Sequence, residues 1–185
     1  MANKVEFGIS QLHVGTFSDE GGSVSLGTPY HQPGAISFSP EEQSEQNVFY
    51  ADNTGYWSGY SGGTIEGDLE VALFDDAFKT QFLGYKTLTN GGLANVKVPT
   101  KPPVYIAFQV EGDVESRRVI LYNCSLGGIN REYNTIEESK EPTTETIPVT
   151  CTGDNVSGVT MAVLKPGDTG YDTLFTAPTA PVIAP

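Results

Sequence analysis

Apolar and polar residues alternate along most of this chain with the two-residue period of a strand that has one buried face. Val104, Ile106, Phe108 and Val110 alternate with Tyr105, Ala107, Gln109 and Glu111. The same rhythm recurs at Val5/Phe7/Ile9, Leu69/Val71/Leu73, Ile120/Tyr122/Cys124/Leu126, Ile147/Val149/Cys151 and Val159/Met161/Val163. Turn residues separate these runs: Asn90-Gly91-Gly92, the stretch from Pro99 to Pro103, Gly127-Gly128, Gly153-Asp154-Asn155 and Lys165-Pro166-Gly167-Asp168. One segment departs from the alternation. Asp75-Asp76 precede Ala77, Phe78 and Phe82, which share a helical face with Phe74, and Gly84 follows. Acidic caps, apolar residues at helical spacing and a terminal glycine predict one short amphipathic helix. Phe78 and Phe82 are its core-facing residues. The expected fold is mainly β: an antiparallel β sandwich or barrel with one short α-helix.

Two stretches lack any core pattern. From about residue 39 to 63 the chain carries the polar run Glu41-Glu42-Gln43-Ser44-Glu45-Gln46-Asn47 and then a dense aromatic group. The run offers nothing to bury, so residues 39–63 are expected to form a loop that orders against a neighbour rather than within the core. Residues 177–185, Ala-Pro-Thr-Ala-Pro-Val-Ile-Ala-Pro, read as an extended, mobile, linker-like tail. Residues 1–176 then form a single domain, since 185 residues suffice for one core that buries roughly 70% of the unfolded surface.

Charge narrows the function. Between Lys4 and Lys79 there is no lysine or arginine but there are twelve Asp and Glu, so residues 1–78 carry −11 of the net −13. Residues 79–185 are nearly balanced, nine basic against eleven acidic. A protein that holds nucleic acid needs cations against the phosphates, and half of this one would repel them. Cys124 and Cys151 are too few for a disulfide framework and read as reduced, partly buried thiols. The N-terminal residues show no signal-peptide pattern, and no apolar run approaches the ~20 residues of a membrane span. These features predict synthesis in the cytoplasm and no membrane insertion.

Catalytic chemistry finds little support. Gly59-Tyr60-Ser61-Gly62-Gly63 fits the G-x-S-x-G nucleophile elbow, but that motif requires a helix after the serine and a downstream histidine. Here Thr64-Ile65-Glu66 reads as a strand, and His13 and His31 both lie upstream. No histidine or cysteine pair has zinc-binding spacing, and neither a calcium loop nor a phosphate loop is present. Asp68 and Glu70 share one strand face opposite Leu69 and Val71 and read as a solvated edge or a contact with a neighbour. The sequence does not read as an enzyme, and no cofactor is expected. The aromatic stretch from Phe49 to Tyr60 is more suggestive, with Phe49, Tyr50, Tyr56, Trp57 and Tyr60 within twelve residues. Such residues suit a protein interface, where Tyr, Trp and Phe are enriched. The alternative is a monomeric carbohydrate-binding or adhesive β module that stacks sugars on Tyr56, Trp57 and Tyr60.

Longer segments resemble a known family. The opening Asn3-Lys4-Val5-Glu6-Phe7-Gly8-Ile9-Ser10-Gln11-Leu12 is similar to the start of the major tail proteins of long, non-contractile-tailed phages of Gram-positive bacteria. So are Phe49-Tyr50-Ala51-Asp52-Asn53 with Tyr56-Trp57, Gly67 to Phe74, and Phe82-Leu83-Gly84-Tyr85. The similarity continues through Arg117-Arg118, Tyr122-Asn123, Thr135 to Pro142, Lys165 to Asp168 and Tyr171, in one order along nearly the whole chain. The resemblance implies a tail-tube-like β fold without catalytic residues, polymerised as stacked hexameric rings around a channel for DNA ejection. It implies a virion protein assembled in the host cytoplasm. Its main partner is itself, joined by tape measure, tail terminator and distal tail or baseplate proteins, with phage DNA in transit but not specifically bound. On this reading Glu41, Glu42, Glu45, Phe49, Tyr50, Tyr56, Trp57 and Tyr60 form an inter-subunit loop. The acids of residues 39–76 are then expected on the channel wall, the alternative being that they face outward and keep a crowded assembly soluble.

Overall fold

A computed structural model describes residues 8–51, 54–133, 135 and 142–183; for residues 45–47, 49–51, 54–57, 60 and 61 it describes the backbone alone. The expected strand start at Val5 and Phe7, and most of the segment from Thr135 to Pro142, lie outside the described residues. Among the described residues, thirteen strands and one α-helix follow in chain order. They are β1 (Gly8–Ser18), β2 (Ser25–Leu26), β3 (Tyr30–His31), β4 (Ala35–Phe38), β5 (Glu41–Ala51) and β6 (Thr54–Val71), then α1 (Asp76–Phe82). After the helix come β7 (Lys86–Thr87), β8 (Leu93–Ala94), β9 (Val104–Glu111), β10 (Arg118–Leu126), β11 (Asn130–Arg131), β12 (Glu145–Cys151) and β13 (Met161–Leu164).

All pairings are antiparallel, and the main sheet runs β2-β1-β9-β10-β12-β6-β4. Strand β3 pairs with β1, β5 with β6, β11 with β12 and β13 with β10. Strand β4 also lies against β1, so the sheet curls back on itself as an open barrel. Inside the curl sit Leu12 and Val14 of β1, Leu69 and Val71 of β6, Val104 and Ile106 of β9, Leu121 of β10, and Ile147 and Val149 of β12. The alternation in the sequence therefore marks one real buried face.

A second cluster lies on the opposite face of β1, β9 and β10: Phe17, Tyr105, Ala107, Ile120, Tyr122 and Leu174. Strand β9 is consequently buried on both faces, where the sequence predicts one. Tyr105, predicted to face out, is fully buried, and its hydroxyl donates to the Gly27 carbonyl at 2.8 Å. It crosses the backbone of Gly15, where any Cβ would collide with the phenol ring. The segment after β13 covers this face, held by Arg118. That guanidinium lies 4.1 Å over the Tyr171 ring and 4.5 Å over Phe175, and Nη1 donates to the Tyr171 carbonyl at 2.5 Å. His13 stacks on Phe175 with ring centroids 4.6 Å apart, and burial lowers its pKa.

Three further expectations change sides for local reasons. Asn123 takes φ 50°, and the β9–β10 register shifts between Leu121 and Cys124. This bulge sends Cys124 and Leu126 into the first cluster while Ile120 and Tyr122 stay in the second. In β13 the predicted inward residues Met161 and Val163 are exposed; Ala162 and Leu164 pack inward instead, because Ala162 lies opposite Ile120 and Leu164 opposite Arg118. Leu73 likewise falls beyond the end of β6 and is exposed.

The cysteines are also corrected. Cys124 and Cys151 are directly opposed across β10 and β12, fully buried, and joined by a disulfide rather than held as thiols. Their separation of 27 residues gives no hint of this in the sequence, since only the register brings them together.

Helix α1 closes one end of the barrel. Asp75 caps it, Oδ1 accepting from the Phe78 amide at 2.8 Å, and Gly84 at φ 72° ends it against Thr100, where a Cβ would not fit. Phe74, Phe78 and Phe82 form one stack, with successive ring centroids 4.8 and 5.1 Å apart and each ring essentially without solvent contact. Tyr30 packs on its side and donates to Asp75 Oδ2 at 2.5 Å; burial together with this bond pushes its phenol up to about 12. The buried carboxylate of Glu145 anchors the helix to the sheet. It accepts from the Phe74 amide at 2.8 Å, from Lys79 Nζ at 3.3 Å and from Arg131 Nη1 at 3.2 Å.

Truncating Phe78 to alanine should cost about 3–5 kcal/mol, because the cavity it leaves lies at the centre of the stack. Urea unfolding should show the midpoint fall; an unchanged midpoint with assembly lost would place Phe78 at an interface instead. Reduction of the Cys124–Cys151 bond should lower stability by about 3 kcal/mol from restored chain entropy in the unfolded state. Unfolding curves of oxidised and reduced refolded protein test this, and two alkylatable thiols in unreduced, denatured protein would refute the crosslink.

Candidate assembly surfaces

Strand β6 is 18 residues long, but β12 pairs only with its second part, from Ile65 to Val71. The first part pairs with β5 alone, from Glu41 opposite Glu66 to Ala51 opposite Thr54. The segment expected as a loop over residues 39–63 is thus a β-hairpin whose two-residue connection, Asp52-Asn53, lies outside the described residues. Close alternation of polar residues gave no buried face to detect, but hairpin pairing needs backbone hydrogen bonds, not burial. Gly63, at φ 124°, is the extra residue of a bulge where the register steps between Gln43 and Ser44.

Past the barrel the hairpin is a two-stranded ribbon with both outer edges unpaired among the described residues. Such a ribbon is marginal by itself, and its edges are templates for another strand. Glu41 and Glu42 are exposed at its base. Glu45, Phe49, Tyr50, Tyr56, Trp57 and Tyr60 are placed by backbone register: Phe49 opposite Trp57, Tyr50 opposite Gly55, Gln46 opposite Tyr60 and Glu45 opposite Ser61. Ser61 therefore sits within a strand, which lacks the sharp strand-to-helix turn of a nucleophile elbow. Phe78 and Phe82, by contrast, are buried far from any such surface role.

The outward face of β6 is acidic. Glu66, Asp68 and Glu70 alternate with the buried Ile65, Leu69 and Val71 along it, and Glu41 stands directly across from Glu66. Strand β6 is flanked by β12 on one side and by β4 and β5 on the other, so Asp68 and Glu70 lie mid-sheet and not on an edge. Glu70 accepts from Ser37 Oγ at 3.1 Å and Thr144 Oγ1 at 2.6 Å. This face of β4, β6 and β12 is wet and negative, with Ser37, Thr146 and Thr150 as its other polar members.

Most described cations are committed elsewhere in the molecule. Lys79 and Arg131 share Glu145, and Lys165 pairs with Glu115 at 2.9 Å. Arg117 binds Asp113 at 2.6 Å and holds that carboxyl down to about 2. The Asp154 carboxyl is pushed up by burial but lowered on balance by hydrogen bonds from Ser157, Val156 and Val159, which fix the turn before β13. Lys86, Lys97 and Lys101 make no ion pair among the described residues, and nothing in their sequence context marks them out.

Comparison with solved structures gives a cap of the anti-feeding prophage, the cap that terminates its tube. It aligns at 10% identity over 89% of this chain and 96% of that one, with a TM-score of 0.50. The sheath–tube complex of an extracellular contractile injection system, in its extended state, aligns at 11% identity over 87% and 94%, with a TM-score of 0.45. No curated protein sequence matches the chain. The family described as phage tail tube protein matches residues 4–164, which takes in the hairpin, the helix, the open barrel and β13. A mainly β, tail-tube-like fold and a family match of that extent agree: the chain belongs to the phage tail tube protein family and is a structural protein of the phage tail, not an enzyme.

Proposed function

We propose that this protein polymerises as hexameric rings stacked into the tail tube and that the tube conducts DNA during ejection. The single observation that carries the reading is the β5–β6 hairpin, which runs beyond its own core with two unpaired edges. A monomer gains little from such a ribbon, whereas a neighbour that adds strands to it satisfies both edges. Head-to-tail contacts of this kind close a ring when the rotation closes, and ring-on-ring contacts that never close extend a filament. The hairpin is the assembly element within residues 39–63, with Glu41, Glu42, Glu45, Phe49, Tyr50, Tyr56, Trp57 and Tyr60 at the contact between copies. Residues 1–176 form the tube domain, and residues 177–185 a Pro-rich tail; residues 178–183 carry no regular secondary structure, and Val182 and Ile183 are exposed.

The wet, acidic face of β4, β6 and β12 lines the channel in this reading. Asp68 and Glu70 then present like charge to DNA phosphates, with repulsion screened over about 8 Å at physiological salt. The genome slides past without adsorbing. Assembly takes place in the host cytoplasm, with tape measure, tail terminator and distal tail proteins as partners at the tube's core and ends.

Hydrogen exchange in dilute and assembled protein tests the hairpin directly. Amides of residues 41–51 should exchange fast in the monomer and slowly in tubes seen by negative-stain microscopy. Equal, strong protection of residues 41–50 in the monomer would overturn the assembly role. A particle that stays monomeric at every concentration and binds polysaccharide would replace the whole reading with a carbohydrate-binding module.

A further inference from the structure

A pocket of about 230 Å³ opens beside the C-terminal end of α1. Leu83 and Tyr85 form one wall, Lys97, Pro99 and Lys101 a second, and the turn from Gly127 to Ile129 a third. Lys101 is held in place: Nζ donates to the Leu126 carbonyl at 2.9 Å and to the Gly127 carbonyl at 2.6 Å. An ammonium has three protons, so one remains for a further acceptor. Lys97 is exposed at the rim, and Lys86 follows Tyr85 in the chain, also exposed. None of the three meets a carboxylate among the described residues. In a chain of net charge −13, a recess with two or three unmatched lysines is an exception that asks for an anion.

The same molecule carries the complementary feature on another surface. Glu41 and Glu66 are direct cross-strand partners on one face, and both are exposed without an ion pair among the described residues, whereas Glu42, opposite Ile65, belongs to the other face. Like charges directly opposed across a sheet destabilise it. A cation supplied from outside would remove that repulsion. A ring built from head-to-tail contacts requires two different patches on each subunit, one complementary to the other.

We propose that the lysine pocket of one copy receives the Glu41/Glu66 pair at the base of the hairpin of the next copy. Lys97 and Lys101 provide the cationic side of the contact, and Lys86 extends it. This rests on the self-assembly reading above and names the surfaces that set the direction of the contact. Charge pairing of this type steers the approach of two subunits and rejects the like-to-like arrangement, in which lysines would face lysines.

Charge reversal and its repair test the contact. Lys97→Glu and Glu41→Lys both alter exposed side chains, so each variant should fold with the wild-type circular dichroism spectrum and melting temperature. Each single variant should raise the concentration at which light scattering and electron microscopy detect rings or tubes by roughly tenfold or more, since juxtaposed like charges are strongly unfavourable. The Lys97→Glu/Glu41→Lys double variant should bring that concentration back toward wild type. Folded single variants that assemble like wild type, or a double variant no better than the singles, would overturn the pocket contact while leaving the tube reading intact. Binding of duplex DNA by the unassembled protein that Lys97→Glu abolishes would assign the lysines to phosphate and overturn it as well. A wild-type protein that never assembles would overturn the tube reading, and this contact with it.

Discussion

The mismatch between β6 and its partners governs the structure. One continuous strand of 18 residues serves two environments. Its second part is a central strand of the barrel, paired with β12, with Ile65, Leu69 and Val71 buried in the first cluster. Its first part leaves the core and is held only by β5. Because the β5–β6 ladder continues across the Gly63 bulge from one part to the other, the projecting ribbon takes its direction and twist from the buried end. A loop at this position would sample many orientations; a strand continuous with the core presents its two open edges in one.

The barrel must be stiff for that to matter, and two features make it so. The stack of Phe74, Phe78 and Phe82 fills the end of the curl, and Glu145 ties the helix, β11 and β12 through two cations and one backbone amide. A buried carboxylate of this kind is strongly destabilising to leave half-paired, so helix and sheet are held in one relative position. On the other face, Arg118 between Tyr171 and Phe175 fastens the C-terminal segment over β1, β9 and β10. The layers on either side of β9 explain how a chain with only 38% hydrophobic residues sustains a continuous interior.

The charge asymmetry acquires a physical meaning from the same topology. Acids from the first part of the chain gather on the outward face of β6 and the base of the hairpin, whereas the cations of the second part are mostly consumed by internal pairs. The molecule consequently shows one strongly negative face and a small basic recess, not a uniform acidic surface. That separation is a property of where strands lie, since Glu66, Asp68 and Glu70 face outward only because Leu69 and Val71 must face in.

Several elements were legible in the residues alone. Period-two alternation marks the core faces of β9, β12 and the second part of β6, since burial acts on each residue locally and leaves a pattern in composition. The helix was legible for the same reason, with its cap at Asp75, its phenylalanine face and its terminating Gly84 all within ten residues. The resemblance over many separate segments carried the family, because motifs in a fixed order retain what no single motif specifies. Other features depend on residues far apart in sequence. The pairing of Cys124 with Cys151, the burial of Tyr105 beneath a C-terminal segment, the inversion of β13 and the bulge at Asn123 are decided by register and by what covers each face. The polar run from Glu41 onward illustrates the limit most directly: with no apolar face it leaves no periodic trace, yet its backbone pairs along β6 on one edge. Sequence by itself determined which residues seek the interior and which family the chain resembles. Only the tertiary structure decided which strands share an edge, because hydrogen-bond register is a relation between distant segments and not a property of either one.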